Sequence, residues 1–270
     1  MTSPTAISLA SVTIGAGAPV LLVHGYAVDH RILLPLEPAF ERHAGAWERV
    51  YVDLPGHGAS PVSPGISSGE DIAAALDAFV DARFGNRPFT VVGSSFGGVL
   101  ARRLVARRAG QVLGIALLSP SAEPVPARTL PPREIRLRDD ALLAALDPAD
   151  AAAYESMAVI QSPAMWARFR DAVLPGLRVA DQVLLERVGD RPAVRERPED
   201  AFATFDRPGL MVLGRQDHVV GWADQVALAG HYPRMTVAIL DGAGHNAHLE
   251  RPEAVEVLVS DWLDAVAAGA

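Results

Sequence analysis

The 270-residue chain contains no cysteine and no lysine, and all 24 of its basic residues are arginine. Without thiols there can be no disulfides, thiolate nucleophiles or cysteine metal sites. Without ammonium side chains there is no Schiff-base chemistry, no Walker A lysine and no Ser–Lys dyad. No apolar run approaches the roughly 18 residues of a membrane span. The net charge is −8 and no basic stretch opposes it, which argues against nucleic acid and anionic membranes as partners. Met1-Thr2-Ser3-Pro4 carries no charged region and the first arginine is Arg31, so the expectation is a soluble, cytoplasmic protein.

Half of the residues are hydrophobic, enough for a large core in one domain with an insertion. Ala6–Ile14 reads as an edge strand or hairpin. Pro19–Val23, Trp47–Val52, Phe89–Val92, Val112–Leu118, Gly209–Leu213 and Met235–Leu240 read as short strands, several of them continuously apolar and so covered on both faces. Between them, Ile72, Leu76, Phe79, Val80 and Phe84 share a helical face that Gly85 ends. In the next helix Val99, Leu100, Leu104 and Val105 alternate with Arg102, Arg103, Arg107 and Arg108, and the arginines read as a solvated face. From Ser121 to Asp206 strand signals vanish. Asp147-Pro148 and Ser162-Pro163 read as helix starts there, and helices are expected near 139–146, 148–160, 163–173 and 179–188.

The chemistry concentrates at Gly93-Ser94-Ser95-Phe96-Gly97, which follows an apolar strand and opens a helix. That is the context of a nucleophile elbow, where flanking glycines make room and Ser95 sits on a strained corner. A serine hydroxyl needs a base within reach, and the base needs an acid to fix its tautomer. Asp217 follows the Gly209–Leu213 strand and His245 follows Met235–Leu240, in the order Ser, Asp, His that such a sheet requires. Asp241 and Glu123 are rivals for the acid, and His248 is the rival base. The backbone N–H groups of Phe96 and Tyr26 are the candidate oxyanion donors. His24 and His57 read as structural, although His24 and Gly25 also lie where substrate would bind. Met157, Met165, Trp166 and Phe169 either line an apolar pocket or pack the insertion onto the core. His245 and His248 lack further ligands for a metal, and none is expected.

These motifs together resemble the α/β-hydrolase family over nearly the whole chain. His24-Gly25 is similar to its HG oxyanion motif, and Asp53-Leu54-Pro55-Gly56-His57-Gly58-Ala59-Ser60 to its D-x-P-G-x-G-x-S turn. Gly93–Gly97 resembles the elbow, Gly214–Asp217 the acid loop, and Gly244-His245 with Leu249-Glu250-Arg251-Pro252 the histidine loop. The resemblance implies an α/β fold: a mostly parallel, doubly wound sheet with a helical cap inserted after the strand that follows the elbow helix. The core would be 1–120 and 207–270, and the cap 121–206. It further implies a cofactor-free serine hydrolase acting on a small apolar ester or lactone with water as co-substrate. A homodimer is left open. Two other readings stand beside it. Phe96-Gly97-Gly98 after Ser95 is similar to the elbow of C–C bond hydrolases acting on vinylogous diketones, but Ser94 and Asn246 depart from their Asn and Trp. A non-catalytic ligand receptor on the same fold could keep an intact triad.

Overall fold

In the computed structural model, which describes residues 8–43, 45–62, 65–189 and 197–269, seven strands form one sheet. They are β1 (Ser11–Ile14), β2 (Ala18–Val23), β3 (Trp47–Val52), β4 (Phe89–Ser94), β5 (Val112–Leu118), β6 (Gly209–Gly214) and β7 (Met235–Leu240). The order across the sheet is β1-β3-β2-β4-β5-β6-β7. Only β1 runs antiparallel, pairing Ser11 with Val52 at the exposed edge. The part of the expected Ala6–Ile14 strand that precedes residue 8 lies outside the described residues.

The continuous apolar runs are explained by the two cores they separate. Leu21 and Val23 of β2 face one layer with Ile72, Leu76 and Val80 of α2 (Gly69–Phe84) and Leu100 and Leu104 of α3 (Phe96–Arg108). Val20 and Leu22 face the other, with Phe40 of α1 (Glu37–Glu41) and Val255, Val259 and Trp262 of α11 (Pro252–Gly269). With side chains alternating along a strand and helices on both faces, the central strands are mostly apolar on both sides, Thr90 and Ser94 of β4 being buried polar exceptions.

Between β5 and β6 the chain is helical: α4 (Asp140–Ala145), α5 (Pro148–Met157), α6 (Pro163–Ala172), α7 (Leu174–Val179) and α8 (Gln182–Gly189). Asp147 and Ser162 do cap α5 and α6, accepting the N–H groups of Ala149 (2.9 Å) and Met165 (3.2 Å). Helix α5 stops at Met157 rather than 160, because the chain then bends to bridge Leu137 with Ile160. The helix expected at 179–188 is α8, which begins at Gln182, and a separate short helix, α7 with Pro175 in its first turn, precedes it. After β6 come α9 (Ala223–Leu228), β7, α10 (Ala247–Glu250) and α11. Among the described residues no helix is long and apolar enough to cross a membrane.

The arginine face of α3 needs correction. Arg102 is buried, not solvated: its guanidinium lies 2.9 Å from Glu199 and donates to the Ser121 carbonyl at 2.7 Å. Tyr232 donates to the same Glu199 oxygen at 2.9 Å. The reason is tertiary, since the 3-10 turn Pro198–Ala201 packs on α3 and covers what periodicity reads as its outer side. Arg103, Arg107 and Arg108 do reach the surface, but pair with Glu70, Asp77 and Asp81 of α2.

Candidate active site

The chain enters the parallel part of the sheet at β2, moves outward to β3, then crosses back to β4 on the other side of β2. That reversal makes a crevice at the carboxyl ends of β2 and β4, where open parallel sheets bind ligands. The loop His24-Gly25-Tyr26 leaves one strand there and Ser95 the other. Ser95 has φ 53° and ψ −115°, a region that side-chain-bearing residues rarely occupy. The corner is held by backbone bonds from Ser95 N–H to Leu118 (2.9 Å) and from Gly98 and Ser121 N–H to the Ser95 carbonyl (3.0 and 3.1 Å). A side chain at Gly97 would strike the carbonyl oxygens of Val23 and His24, and one at Gly93 would strike the Gly97 carbonyl. A methyl on Gly25 would lie 3.1 Å from Ser95 Cβ, so the β2 loop rests directly on the serine.

Two histidines shape that loop. His24 donates from Nδ1 to the Gly25 carbonyl (2.6 Å) and accepts the Leu54 N–H at Nε2 (2.9 Å). An imidazole that must accept at one nitrogen is neutral, and complete burial draws its pKa down to about 3. With both nitrogens used, His24 has none left to hydrogen-bond a substrate and holds the loop in shape. His57 likewise accepts from Ala27 N–H (3.2 Å), donates to the Pro55 carbonyl (2.9 Å) and is lowered by burial. The Tyr26 hydroxyl donates to the Leu185 carbonyl of α8, and its ring stands edge-on to Phe96. Phe96 is the first residue of α3, where backbone N–H groups have no partner within the helix.

Asp217 and His245 leave the adjacent parallel strands β6 and β7, whose ends align at Gly214 and Leu240. Their side chains meet, with His245 Nδ1 2.9 Å from Asp217 Oδ2. The other Asp217 oxygen accepts the N–H groups of Val219 (2.9 Å) and Val220 (3.0 Å). Burial alone would raise this carboxyl, but the His245 partner and the two amides outweigh it and hold it below the usual carboxylate range. Asp217 is therefore a charged acceptor that keeps a proton on Nδ1 and leaves Nε2 to accept.

The rivals are engaged elsewhere. Asp241 is exposed and holds Gln216 and Arg136, while Glu123 faces Arg197 at 3.6 Å. His248 is buried, donates to the Ile32 carbonyl (2.8 Å) and is lowered to about 4 by burial. Met165 and Phe169 are fully buried, and Phe169 stacks with Trp166 and meets Tyr154 at a tilt, so this cluster packs the insert internally and onto the core. Met157 and Trp166 lie half-buried at its margin. Asp29, His30 and Asp53 offer ligand atoms within 4.8 Å of one another. Their carboxylates are already taken, Asp29 by the N–H and guanidinium of Arg31 and Asp53 by His30 and the Ala59 N–H, so the group fits a loop anchor better than a cation.

Two positioning residues escape the sequence reading. Gln216 accepts the N–H groups of Gly242 (2.9 Å) and Ala243 (3.2 Å) and donates to Asp241 (2.8 Å). Glu250 is buried beside the His245 loop. Glu250 belongs to the Leu249-Glu250-Arg251-Pro252 stretch, but a charged residue just before a helix ordinarily reads as solvent-facing. Gln216 carries no local signal beyond its place next to Asp217.

A mostly parallel α/β sheet whose strand carboxyl ends carry a strained elbow serine and an imidazole paired with a buried carboxylate defines the class of protein. The chain belongs to the alpha/beta hydrolase family, whose model matches residues 20–257. It is 34% identical to a pimeloyl-(acyl-carrier protein) methyl ester esterase of Chromobacterium violaceum over 139 residues, half of each chain. It is 28% identical over 253 residues to the protein of that name from Xanthomonas campestris pv. campestris, covering 90% of this chain and 93% of the other. Among solved structures, an alpha/beta superfamily hydrolase from Oenococcus oeni PSU-1 superposes with a TM-score of 0.86 at 26% identity, over 96% of both chains.

Proposed function

We propose that the protein is a serine hydrolase that cleaves a small carboxylic ester or lactone through an acyl-enzyme. The observation that carries this reading is the Asp217–His245 pair, with its charged, buried carboxylate, at the same carboxyl end of the parallel strands as the strained Ser95. Ser95 Oγ attacks the ester carbonyl as its proton passes to His245 Nε2. The N–H groups of Tyr26 and Phe96 hold the resulting oxyanion. Collapse breaks the bond to the alkoxy oxygen, which takes the proton from the imidazolium and leaves. A water, deprotonated by His245, then attacks the acyl carbon, and Ser95 recovers its proton as the acid departs. The ester-cleaving names of the relatives support the reaction class.

In this reading residues 121–206 form a cap over a core of 1–120 and 207–270. The bond from Tyr26 on the oxyanion loop to Leu185 on α8 supports that role. The enzyme would act in the cytoplasm on an apolar substrate with water and no cofactor.

The test is an organophosphonate followed by mass spectrometry, with turnover of short- and long-chain nitrophenyl esters and lactones by wild type and Ser95→Ala. A covalent adduct on Ser95 and loss of turnover in the variant are expected. An adduct elsewhere, or undiminished turnover without Ser95, overturns the reading. Saturable ester binding without turnover by the wild type would make the protein a receptor.

A further inference from the structure

Glu250 closes α10, five residues after His245, and its carboxylate is buried. It accepts three backbone N–H groups. Oε2 takes the Gly244 N–H at 2.5 Å, immediately before His245. Oε1 takes the N–H groups of Val159 (2.6 Å) and Ile160 (3.2 Å), in the bend between α5 and α6. One carboxylate thus bridges two segments far apart in sequence, the loop that carries the base and the helical insert.

The surroundings tighten this joint. The Gly244 backbone is pressed from one side by Gly214 at the end of β6, where a side chain would strike the Gly244 carbonyl. On the other side Val159 packs so closely that a methyl on Gly244 would come within 2.8 Å of it. Gln216 already holds the N–H groups of residues 242 and 243, so Glu250 fixes the last amide before the imidazole. His218, next to Asp217, donates to the Ser156 carbonyl at 3.0 Å, so the end of α5 just before this bend also leans on the Asp217 loop.

Burying a carboxylate is unfavourable, and desolvation pushes Glu250 up to about 7 even though the three amides pull it down. A structural filler would avoid that penalty with an apolar side chain. Three converging donors require an acceptor-only group with two oxygens, which an ionised carboxylate is and an amide is not.

The geometry points to Glu250 as a positioning residue that makes the aim of His245 depend on the seating of the helical insert. This deepens the proposed function and rests on His245 being the base there. With the insert docked, Glu250 is held at both ends and the Gly244–His245 backbone cannot turn. With the insert displaced, Oε1 loses both of its donors, Glu250 gains rotamer freedom, and the imidazole loses a fixed backbone. Substrate that opens the insert would find a relaxed base, and closure would restore it.

The test uses the full-length protein with Glu250→Gln, which keeps one accepting oxygen but turns an N–H donor toward the other segment. Phosphonylation of Ser95 and kcat should fall between about 10- and 100-fold, as expected when a reacting group is misplaced by a fraction of an ångström, with KM little changed. A folded variant with wild-type kcat and labelling rate overturns the proposal. Hydrogen exchange on the wild type keeps it testable if the variant does not fold. The amides of Gly244, Val159 and Ile160 should share one protection factor within about threefold, because one side chain serves all three. Independent exchange of Gly244 and the 159–160 pair would refute the coupling. Failure of wild-type Ser95 to be labelled would count against the hydrolase reading instead, and the exchange measurement still decides the coupling.

Discussion

Replacing Asp217 by asparagine tests the imidazole tautomer without emptying the site. The new side chain can still accept the Val219 and Val220 amides through its carbonyl oxygen, as the carboxylate does at 2.9 and 3.0 Å. Its amide nitrogen then occupies the oxygen position 2.9 Å from His245 Nδ1 and donates to it. Nδ1 must accept, so the ring proton moves to Nε2, and His245 can no longer take the serine proton. For a triad of this kind the wrong tautomer lowers kcat about 10⁴-fold, or about 5.4 kcal/mol of barrier. KM should change little, because Asp217 is buried beneath the imidazole and away from substrate. The assay is steady-state hydrolysis of a nitrophenyl ester near neutral pH, with thermal unfolding as the check on structure. Turnover within about tenfold of wild type, far short of the loss expected for a tautomer switch, refutes the assignment. The acid would then lie with Glu123 or Asp241.

Acid should destabilise the fold through its buried histidines. His24 and His248 titrate at about 3 and about 4 when folded, against about 6.5 unfolded, so between pH 6.5 and 4 the unfolded chain binds the extra protons and stability falls as pH falls. Glu250, raised by burial, opposes this in part. Glu250→Gln removes that opposition, so in urea unfolding stability should fall more steeply with acid than in the wild type; an unchanged pH dependence contradicts these assignments. Tyr26→Phe should cost about 1 kcal/mol of stability through the lost bond to Leu185 while leaving kcat within a few-fold, since only the Tyr26 N–H serves the oxyanion. A large fall in kcat would place the hydroxyl in the chemistry.

What could be read in advance was whatever local chemistry dictates. Continuous apolar runs became strands because both sheet faces are covered, as at Val20–Val23. The elbow was legible because Gly93 and Gly97 are steric necessities wherever a strand turns so sharply into a helix. Asp217 and His245 were legible because each follows a strand in a fixed order, and their 2.9 Å pairing agrees with that spacing. Arg102 was misread because its partner, Glu199, arrives from 97 residues away, and no period in α3 reports what packs on it. Met165 and Phe169 were ambiguous for a similar reason, since an apolar stripe looks alike whether it faces a pocket or another helix. Gln216 and Glu250 were invisible as positioning groups because their partners are backbone amides, which every residue but proline has.

The buried Arg102 ties three points together: the elbow helix, Ser121 where the insert departs, and Glu199 where it returns. Both ends of the insert are thus stitched to the element that presents Ser95. A foreign insert grafted between β5 and β6 must bring its own carboxylate near position 199, or Arg102 must be neutralised in the same design. Otherwise the transplant leaves a stranded guanidinium in the helix that begins right after Ser95, and the damage would be felt at that serine before it was felt by the graft.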